Sequence, residues 1–482
     1  MAEQSISVGR DGPAGPGGTG GVLERVFKVH ERGSTVAREA RGGLATFFTM
    51  AYILVLNPII LGGAKDKYGH QLDHVQLVTS TAVVGGVMTL VMGIGGNLPL
   101  AIATGLGLQG VVAFTIAPTM SWPDAMGLVV LEGLGICLLV VSGLRQKIMD
   151  AIPLALKRAI GVGLGMFVCL IGLVDAGFVT KGSGVPVTLG TDGTLKGWPV
   201  AVFCVGVLLT LSLLVRRVPG AILISIFVTT VLAIIVEKSA TIAPRSWGLI
   251  QPDIPKKILA SPDFGLLGKF SLFGGFQDAG VMTALIFVFT LILADFFDAM
   301  GTIIGISGEA GLLDEDGRLP RIGRVLFIDG LAASAGGAGS SSSATCFVES
   351  AAGVGEGART GLANVFTGGL LLLAAFLTPI ATVVPSQAAT PALVAVGFLM
   401  MTQAKDIPWD DWEISIPAFL TIVLMPFTFS ITNGLGSGIV TYVLIKVVVG
   451  KVREVNALLW IVAALFLIYF ALDPIKQLFG IK

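Results

Sequence analysis

Long apolar runs recur along the whole chain, and no other feature constrains its fold as strongly. Runs such as VVGGVMTLVMGIGG (83–96) and LLWIVAALFLIYFAL (458–472) carry no charged residue. A helix needs about 20 apolar residues to cross the hydrocarbon of a bilayer. Within lipid every backbone amide must be satisfied by the protein itself, which makes such runs helical. Only 13% of the residues are charged, about half the share of a soluble domain. We therefore predict an all-α polytopic membrane protein.

The runs form two sets of seven, separated by a polar stretch. They lie near residues 44–62, 76–96, 99–118, 125–143, 152–174, 198–215 and 219–236, and then near 281–307, 322–339, 343–354, 360–383, 389–404, 414–430 and 434–449. We number them segments 1 to 14. Because seven is odd, the two halves enter the membrane in opposite orientations, which is the inverted-repeat architecture of many transporters. A last run, 457–472, stands outside this pattern, and the sequence leaves open whether it spans the membrane.

The Lys and Arg residues indicate how the segments are oriented. Basic residues favour the cytoplasmic side, and a cytoplasmic amino terminus puts most basic loops there, including RQK (145–147) and RR (216–217). The exception is the stretch 237–280, which is predicted outside and yet carries several lysines. Long loops follow the rule poorly. We expect a plasma-membrane protein whose amino terminus is cytoplasmic.

Composition also bears on partners and cofactors. The formal net charge is zero, so nothing indicates a nucleic acid partner. The cysteines lie in or beside apolar runs without spaced pairs, which favours small buried residues over disulfides or metal ligands. They are Cys137, Cys169, Cys204 and Cys346. We expect no cofactor and no metal.

Two segments at matching positions of the halves are unlike ordinary spanning helices. Segment 3, NLPLAIATGLGLQGVVAF (97–114), and segment 10, GGAGSSSSATCFVESAAGVGEG (336–357), are short and interrupted by Gly, Ser or Pro. Interrupted segments at corresponding positions of two repeats are the best indication of a transporter site. Extended backbone is tolerated at membrane depth only where it is buried in protein or lines a cavity. The serines, Ser340 to Ser343, fit turn and cap positions better than direct ligands.

Acidic residues within the apolar segments have no Lys or Arg at comparable depth. They are Glu132, Asp295, Asp298, Asp329 and Glu349. A charge at mid-bilayer costs at least about 2.5–3.5 kcal/mol, so these groups must face a polar cavity or hold a proton. Asp298, Glu349, Asp329 and Glu132 are candidates for proton coupling.

Structural roles remain open for each of these residues. Asp295 and Asp298 are three residues apart on one helix face and could bond a neighbouring helix, while Glu349 could stabilise a helix N-terminus. For Asp329 and Glu132 the structural role is the favoured interpretation. Gln109 could likewise form an interhelical hydrogen bond. A ligand that meets carboxylates, an amide and free backbone groups should be a small polar solute rich in N–H donors, a description that nucleobases fit.

At these motifs the chain resembles a known family. The stretches that carry the likeness are FFTMAYILVLNPIIL (47–61), ATGLGLQGVVAF (103–114), ADFFDAMGTIIGI (294–306), ESAAGVGEGARTGL (349–362) and IPAFLTIVLMPFTFSI (416–431). Together they resemble the nucleobase:cation symporter-2 (nucleobase–ascorbate transporter) family, and within it the azaguanine-type purine permeases. The likeness runs from about Arg38 to Phe470.

The resemblance implies fourteen transmembrane segments in two inverted repeats of seven, with short strands in the third and tenth. It implies a core domain of segments 1–4 and 8–11 and a gate domain of segments 5–7 and 12–14. The expected divisions are a tail (1–37), the core halves (38–148 and 281–385), the gate halves (149–237 and 386–450), an outer loop (238–280) and a C-terminal apolar segment with its tail (451–482).

The resemblance also places the substrate site. The family's essential segment-8 carboxylate falls on Asp298, with Asp295 a turn earlier, and its segment-10 glutamate falls on Glu349. The backbone contacts fall near Gly107 and Val348, and the polar segment-3 side chain falls on Gln109. The family's usual PGMGLN reads TGLGLQ here, so that Thr104 and Gln109 replace a proline and an asparagine, and Gln109 is one methylene longer than the asparagine.

The function implied is proton-coupled import of purine bases (adenine, guanine or hypoxanthine) by alternating access, without enzymatic activity, in a homodimer built through the gate domain. Alternatives are transport of another nucleobase, xanthine or uracil, or of an anion by the same architecture. A channel would need a continuous polar pore, and a membrane enzyme would need a nucleophile–histidine or metal constellation. The sequence shows neither.

Overall fold

The computed structural model describes residues 22–143, 152–182, 184–191, 193–240, 242, 246–248, 250–314 and 319–471. Most of the predicted tail (1–37), the basic loop 145–147 and the last eleven residues, 472–482, therefore lie outside the described residues. Helices account for each of the fourteen predicted segments. In the part of the chain that the structure describes, nine helices are long and apolar enough to cross a membrane.

The first repeat contains segment 1 (Val36–Gly63), segment 2 (His74–Gly96), segment 3 (strand Ile102–Thr104, then helix Leu106–Thr119), segment 4 (Trp122–Val141), segment 5 (Leu154–Asp175), segment 6 (Trp198–Val215) and segment 7 (Ala221–Ser239). The second contains segment 8 (Val281–Glu309), segment 9 (Ile322–Ala338), segment 10 (strand Ala344–Cys346, then helix Ser350–Gly355), segment 11 (Leu362–Ala381), segment 12 (Ser386–Ala389 and Pro391–Met401), segment 13 (Trp412–Phe427) and segment 14 (Ile431–Val448).

Segment 1 begins earlier than hydropathy predicts. Its helix starts at Val36, where the Thr35 side chain accepts a hydrogen bond from the Arg38 N–H as an N-cap. The charged residues of the first two turns conceal this start, because they lower the local hydropathy without preventing the helix. The same segment is interrupted at Ala51 and Tyr52, where bonds from Leu54 to Ala51 and from Val55 to Tyr52 tighten the chain.

The two interrupted segments meet as a pair of antiparallel strands, which confirms the short strands expected there. In chain order we call these β1 (Ile102–Thr104) and β4 (Ala344–Cys346); β2 (Val179–Thr180) and β3 (Thr188–Leu189) form a small hairpin between segments 5 and 6. In the register of β1 and β4, Ala103 lies opposite Thr345.

The free edge of β1 is satisfied by a side chain. The Thr89 hydroxyl of segment 2 donates to the Ile102 carbonyl at 2.8 Å and accepts from its N–H at 2.9 Å. Buried backbone groups need such partners, and this is how extended chain survives at this depth.

The contacts between segments repeat in the two halves of the chain. When each segment is replaced by the one at the matching position of the other half (1 by 8, 2 by 9, and so on), an observed contact becomes another observed contact. Segment 4 packs on 9 as 11 packs on 2, segment 1 packs on 11 as 8 packs on 4, and segment 5 packs on 13 as 12 packs on 6. The strands of segments 3 and 10 pair with each other, at the centre of this relation. Such reciprocal packing is the mark of two structurally equivalent halves, and the expected fold of two inverted repeats of seven is confirmed.

The last apolar run forms the helix Ala457–Phe470. At about 1.5 Å per residue its 14 residues extend about 21 Å, which is shorter than the roughly 30 Å hydrocarbon core. It packs against segments 14 and 8, and the buried Phe466 lies with its ring centre 6.3 Å from that of Phe289 in segment 8.

The loop between segments 1 and 2 is organised by Asp66. Burial alone would raise the pKa of this carboxyl, but the backbone N–H groups of His70, Tyr68 and Trp122 donate to it and hold its pKa below the ordinary value. The three distances are 2.8, 2.9 and 3.3 Å. The carboxylate therefore ties the loop to the first turn of segment 4.

Candidate functional site

The two short helices of segments 3 and 10 start where the paired strands end. The helix of segment 3 begins at Leu106, directly after β1, and that of segment 10 begins at Ser350, four residues after β4. Gly105 precedes the first helix and Glu349 precedes the second. Segment 8 contacts both short helices. The pairing of β1 with β4 and the contacts of segment 8 therefore bring residues of segments 3, 8 and 10 close together. We call this place, where β1 and β4 pair and the two short helices begin, the strand crossing.

Glu349 is held by segment 1. The hydroxyl of Tyr52 donates a hydrogen bond to the Glu349 carboxylate, and the Thr49 hydroxyl donates to the Glu349 carbonyl at 3.3 Å. Tyr52 is fully buried at the interruption of segment 1, whereas Glu349 is half-buried. The interruption thus places a phenol donor against the carboxylate while part of the carboxylate stays accessible.

Asp298 keeps exposed surface although it lies within segment 8, where Asp295 and Ala299 are buried. It is close enough to Glu349 for the two carboxylates to interact electrostatically. Val348, next to Glu349, is 58% exposed. Two carboxyl groups from different segments therefore face accessible space beside the strand crossing.

Gln109 is fully buried, and neither its Nε2 nor its Oε1 has a hydrogen-bond partner among the described residues. The interhelical hydrogen bond considered for it is therefore not observed. An unpaired buried amide costs about 1–3 kcal/mol, which a polar ligand could recover. Two residues earlier, a Cβ at Gly107 would lie 3.3 Å from Leu164 of segment 5, so that this position lies against a segment of the expected gate domain.

A second set of carboxyl groups lies behind the strands, and its members are fully buried: Glu132, Asp295 and Asp329. The Ser343 hydroxyl donates to Glu132 at 2.9 Å. Asp329 accepts from the Thr345 hydroxyl at 3.3 Å and from the Cys346 N–H at 3.1 Å. Ser343 and Thr345 are two residues apart and share one face of the extended chain.

The polar capacity of this buried set is only partly used. Both oxygens of Asp295, one of Glu132 and one of Asp329 have no hydrogen-bond partner among the described residues. In that part of the chain, none of the ion pairs involves these carboxyl groups, and no cluster of His, Cys, Asp and Glu has the arrangement of a metal site.

Close backbone contact positions Glu132 and Asp329 next to the strand. At Gly133 of segment 4, a Cβ would lie 2.3 Å from the Gly330 carbonyl of segment 9. Small residues let membrane helices approach in this way. Each glycine directly follows a carboxylate, so the same contact brings Glu132 and Asp329 towards β4.

The serine run makes the turn into β4. Ser340 and Ser342 have positive φ values of 56° and 70°, and the Ser341 N–H bonds back to the Gly336 carbonyl at 2.9 Å. The Ser340 hydroxyl donates to the Leu266 carbonyl at 3.1 Å. Ser340 and Ser341 are therefore turn residues, as their sequence favours.

The described contacts thus bring Asp298 near Glu349, and Glu132 and Asp329 against β4. Gly107 and Gln109 lie in the short helix after β1, which segment 8 contacts, and no hydrogen bond among the described residues joins Gln109 to the carboxyl groups. Sequence reasoning missed Tyr52, Ser343 and Thr345. Tyr52 lies within the conspicuous stretch 47–61, but nothing there shows that its hydroxyl reaches a residue almost 300 positions away.

A fold of two inverted repeats, with carboxyl groups beside the paired strands of two interrupted segments, is the architecture of a membrane transporter. Residues 38–436 match the Permease family. Adenine permease AdeQ of Escherichia coli K12 is 35% identical over 450 residues, which cover 92% of this chain and 95% of the relative. Guanine/hypoxanthine permease PbuG of Bacillus subtilis is 36% identical over 458 residues, 93% and 99% of the two chains.

The chain therefore belongs to the permease family of nucleobase–ascorbate transporters, and the resemblance seen in its motifs is confirmed. Among solved structures, the transmembrane domain of the cyanobacterial bicarbonate transporter BicA has the same fold. It superposes with a TM-score of 0.58 at 16% identity, covering 83% of this chain and 97% of that chain. At this identity the likeness concerns the fold alone.

Proposed function

We propose that this permease imports purine nucleobases across the plasma membrane in symport with protons. The observation that carries the proposal is the similarity over more than nine-tenths of the chain to permeases named for adenine and for guanine/hypoxanthine. The site adds a chemical reason, because it offers acceptors for N–H groups and, among its described residues, no basic side chain that would bind an anion.

In the proposed binding mode, Glu349 and Asp298 accept N–H groups of the base, since a carboxylate takes two parallel N–H donors well. Tyr52 holds Glu349 in orientation. The amide of Gln109 and the backbone near Gly107 and Val348 complete the polar contacts. Asp295 lies one turn before Asp298 in segment 8 and supports that side of the binding site from behind.

The coupling proton is carried by carboxyl groups in this proposal. Asp298 and Glu349 meet the substrate directly, whereas Glu132 and Asp329 lie behind β4 and can exchange protons without touching the base. A base that binds one protonation state better than another shifts the equilibrium between them, which is all that coupling requires.

The way the segments pack supports alternating access as the mechanism in this proposal. Segments 1–4 and 8–11 pack mostly with one another, and segments 5–7 and 12–14 do the same, which supports a core domain (38–148 and 281–385) that moves against a gate domain (149–237 and 386–450). We place the amino terminus in the cytoplasm and a homodimer interface on the gate domain.

Xanthine or uracil is the alternative substrate, since the TGLGLQ motif with Gln109 departs from the family pattern. An anion is disfavoured as cargo, because the carboxylates at the crossing would repel it.

Uptake of labelled adenine, guanine and hypoxanthine into cells that lack their own purine uptake tests the proposal, with unlabelled xanthine and uracil as competitors. We expect purine uptake that a proton uncoupler abolishes. Glu349→Gln and Asp298→Asn should lose it at normal membrane abundance, while Glu356→Gln and Glu309→Gln, exposed carboxylates at the ends of the same helices, should retain it. Normal uptake in both site variants would refute the assignment, and uptake that resists the uncoupler would refute proton coupling.

A further inference from the structure

An apolar crevice of about 590 Å³ separates segment 7 from segments 1 and 11. Its walls include Ala51 of segment 1, Leu223 and Phe227 of segment 7, and Ile380 of segment 11. The one lining residue with a polar side chain, Thr230, donates its hydroxyl to the Ile226 carbonyl within its own helix at 2.7 Å. Among its described lining residues, the crevice therefore offers no free side-chain hydrogen-bond donor to a ligand.

This chemistry excludes the transported base as the occupant and favours hydrocarbon. The volume lies within the range of about 300–1,000 Å³ for small-molecule sites. Lining residues at the rim are exposed, Phe227 to 68% and Ile235 to 55%. Because segments 1, 7 and 11 span the bilayer, a rim of this kind opens towards lipid tails. An acyl chain can enter from the side and cover apolar surface that water cannot reach.

Lysines stand at one end of the crevice. Ile254 and Pro255 line it, and the two residues that follow, Lys256 and Lys257, are exposed. Lys238, also exposed, lies one turn beyond the lining residue Ile235 in segment 7. These lysines lie within the outer loop (238–280) and are among the basic residues that break the positive-inside pattern.

Few carboxylates compensate these lysines. Glu237 is engaged by the Trp247 indole N–H at 2.6 Å, and Asp253 is the exposed carboxylate that precedes Ile254. None of the ion pairs in the described part of the chain involves the three lysines. The loop is also fixed to the protein next to the crevice, because the Ala260 N–H donates to the Phe376 carbonyl of segment 11 at 3.0 Å.

We propose that the crevice is a binding site for an anionic phospholipid, with an acyl chain between segment 7 and segments 1 and 11 and the phosphate at Lys256, Lys257 and Lys238. Apolar walls and a cationic end match the two parts of such a lipid. The same match explains why an outward loop carries lysines: they bind a headgroup rather than report topology. The site lies between segment 7 of the gate domain and segments 1 and 11 of the core domain. A lipid bound there would therefore lie beside both domains when one moves against the other.

Native mass spectrometry of the full chain, released from vesicles with equal parts of phosphatidylglycerol and phosphatidylcholine, tests this site. We expect one phosphatidylglycerol retained per chain in preference to phosphatidylcholine. Each lysine near a membrane surface contributes about a fivefold change in occupancy, so Lys256→Glu with Lys257→Glu should lower phosphatidylglycerol retention at least about twentyfold. Val231→Trp, which fills the crevice, should remove the retained lipid of either kind.

Matched controls separate a site from general effects of charge or bulk. Lys269→Glu changes an exposed lysine of the same outer loop. Val228→Trp adds the same ring to segment 7 at a residue that is 44% exposed, against 41% for Val231, but does not line the crevice. Both should retain the lipid. Equal retention of the two lipids, unchanged by the lysine substitutions, would overturn the headgroup site. A change from dimer to monomer in Val231→Trp, without loss of lipid, would instead make the crevice an interface between copies and refute the proposal. Neither outcome depends on whether purines are the cargo.

Discussion

The hydrogen bond from Tyr52 to Glu349 gives the sharpest test of the site. In Tyr52→Phe the ring remains in its buried place and only the hydroxyl is lost, so that packing is preserved. A hydrogen bond to a charged group contributes about 1.5–3 kcal/mol, and 1.36 kcal/mol is a factor of ten. If this bond orients the substrate-binding carboxylate, transport efficiency should fall by roughly 10- to 100-fold.

The assay is the initial rate of purine uptake across a range of concentrations, normalised to the amount of protein in the membrane. The chain provides a matched control in Tyr68, which donates its hydroxyl to Asp278 at 2.9 Å in an exposed setting outside the spanning segments. Tyr68→Phe removes an equivalent tyrosine–carboxylate bond and should change uptake by less than about twofold, since exposed pairs contribute little.

A double-mutant cycle shows whether the effect acts through Glu349. Thermal unfolding of the purified protein without substrate is measured for Tyr52→Phe, for Glu349→Gln and for the double variant. Because the two groups are in contact, their effects on the free energy of unfolding should be non-additive by about 0.5–3 kcal/mol. Additive effects, or wild-type uptake in Tyr52→Phe, would show that this bond does not position the carboxylate.

Three further predictions concern the framework of the site, each read as thermal unfolding of the purified protein. Ser343→Ala should cost about 1–3 kcal/mol, because it leaves Glu132 without its hydrogen bond; a stability equal to that of wild type would mean that water replaces the hydroxyl. Gly133→Ala should lower the free energy of unfolding by about 1–3 kcal/mol, because the added methyl group forces segments 4 and 9 apart. Gly369→Ala is the control, since an added Cβ there meets nothing within 4 Å, and it should be neutral or stabilising. Equal effects of the two substitutions would refute the close contact. Asp66→Ala should lower the free energy of unfolding at neutral pH, and the loss should shrink as the pH falls below 3.8, the ordinary pKa of an aspartate. A carboxyl group whose pKa is lowered by folding stabilises the protein above its unfolded pKa, and this contribution is lost as the pH falls through its folded pKa. A loss of stability that does not depend on pH would contradict this.

The sequence by itself determined the number and order of the segments and their division into two inverted sets of seven. Hydrocarbon imposes this, because a chain at that depth must close its own backbone hydrogen bonds and runs of about 20 apolar residues do so as helices. It also located the interrupted segments 3 and 10 and the acidic residues that needed an explanation, since Gly, Ser and charged residues stand out in an apolar run. The start of segment 1 was missed because hydropathy does not register a charged but helical first turn.

Only the tertiary structure decided which polar groups meet. The bond between Tyr52 and Glu349 joins residues 297 positions apart, and that between Ser343 and Glu132 joins residues 211 apart. Pairing of β1 with β4 and the close approach of segments 4 and 9 create these neighbours, and both depend on the packing of one repeat against the other. Local sequence patterns report how each segment meets lipid and its own backbone. They carry no information on which distant donor will face a given carboxylate, because that is fixed by how the two halves of the chain fit together.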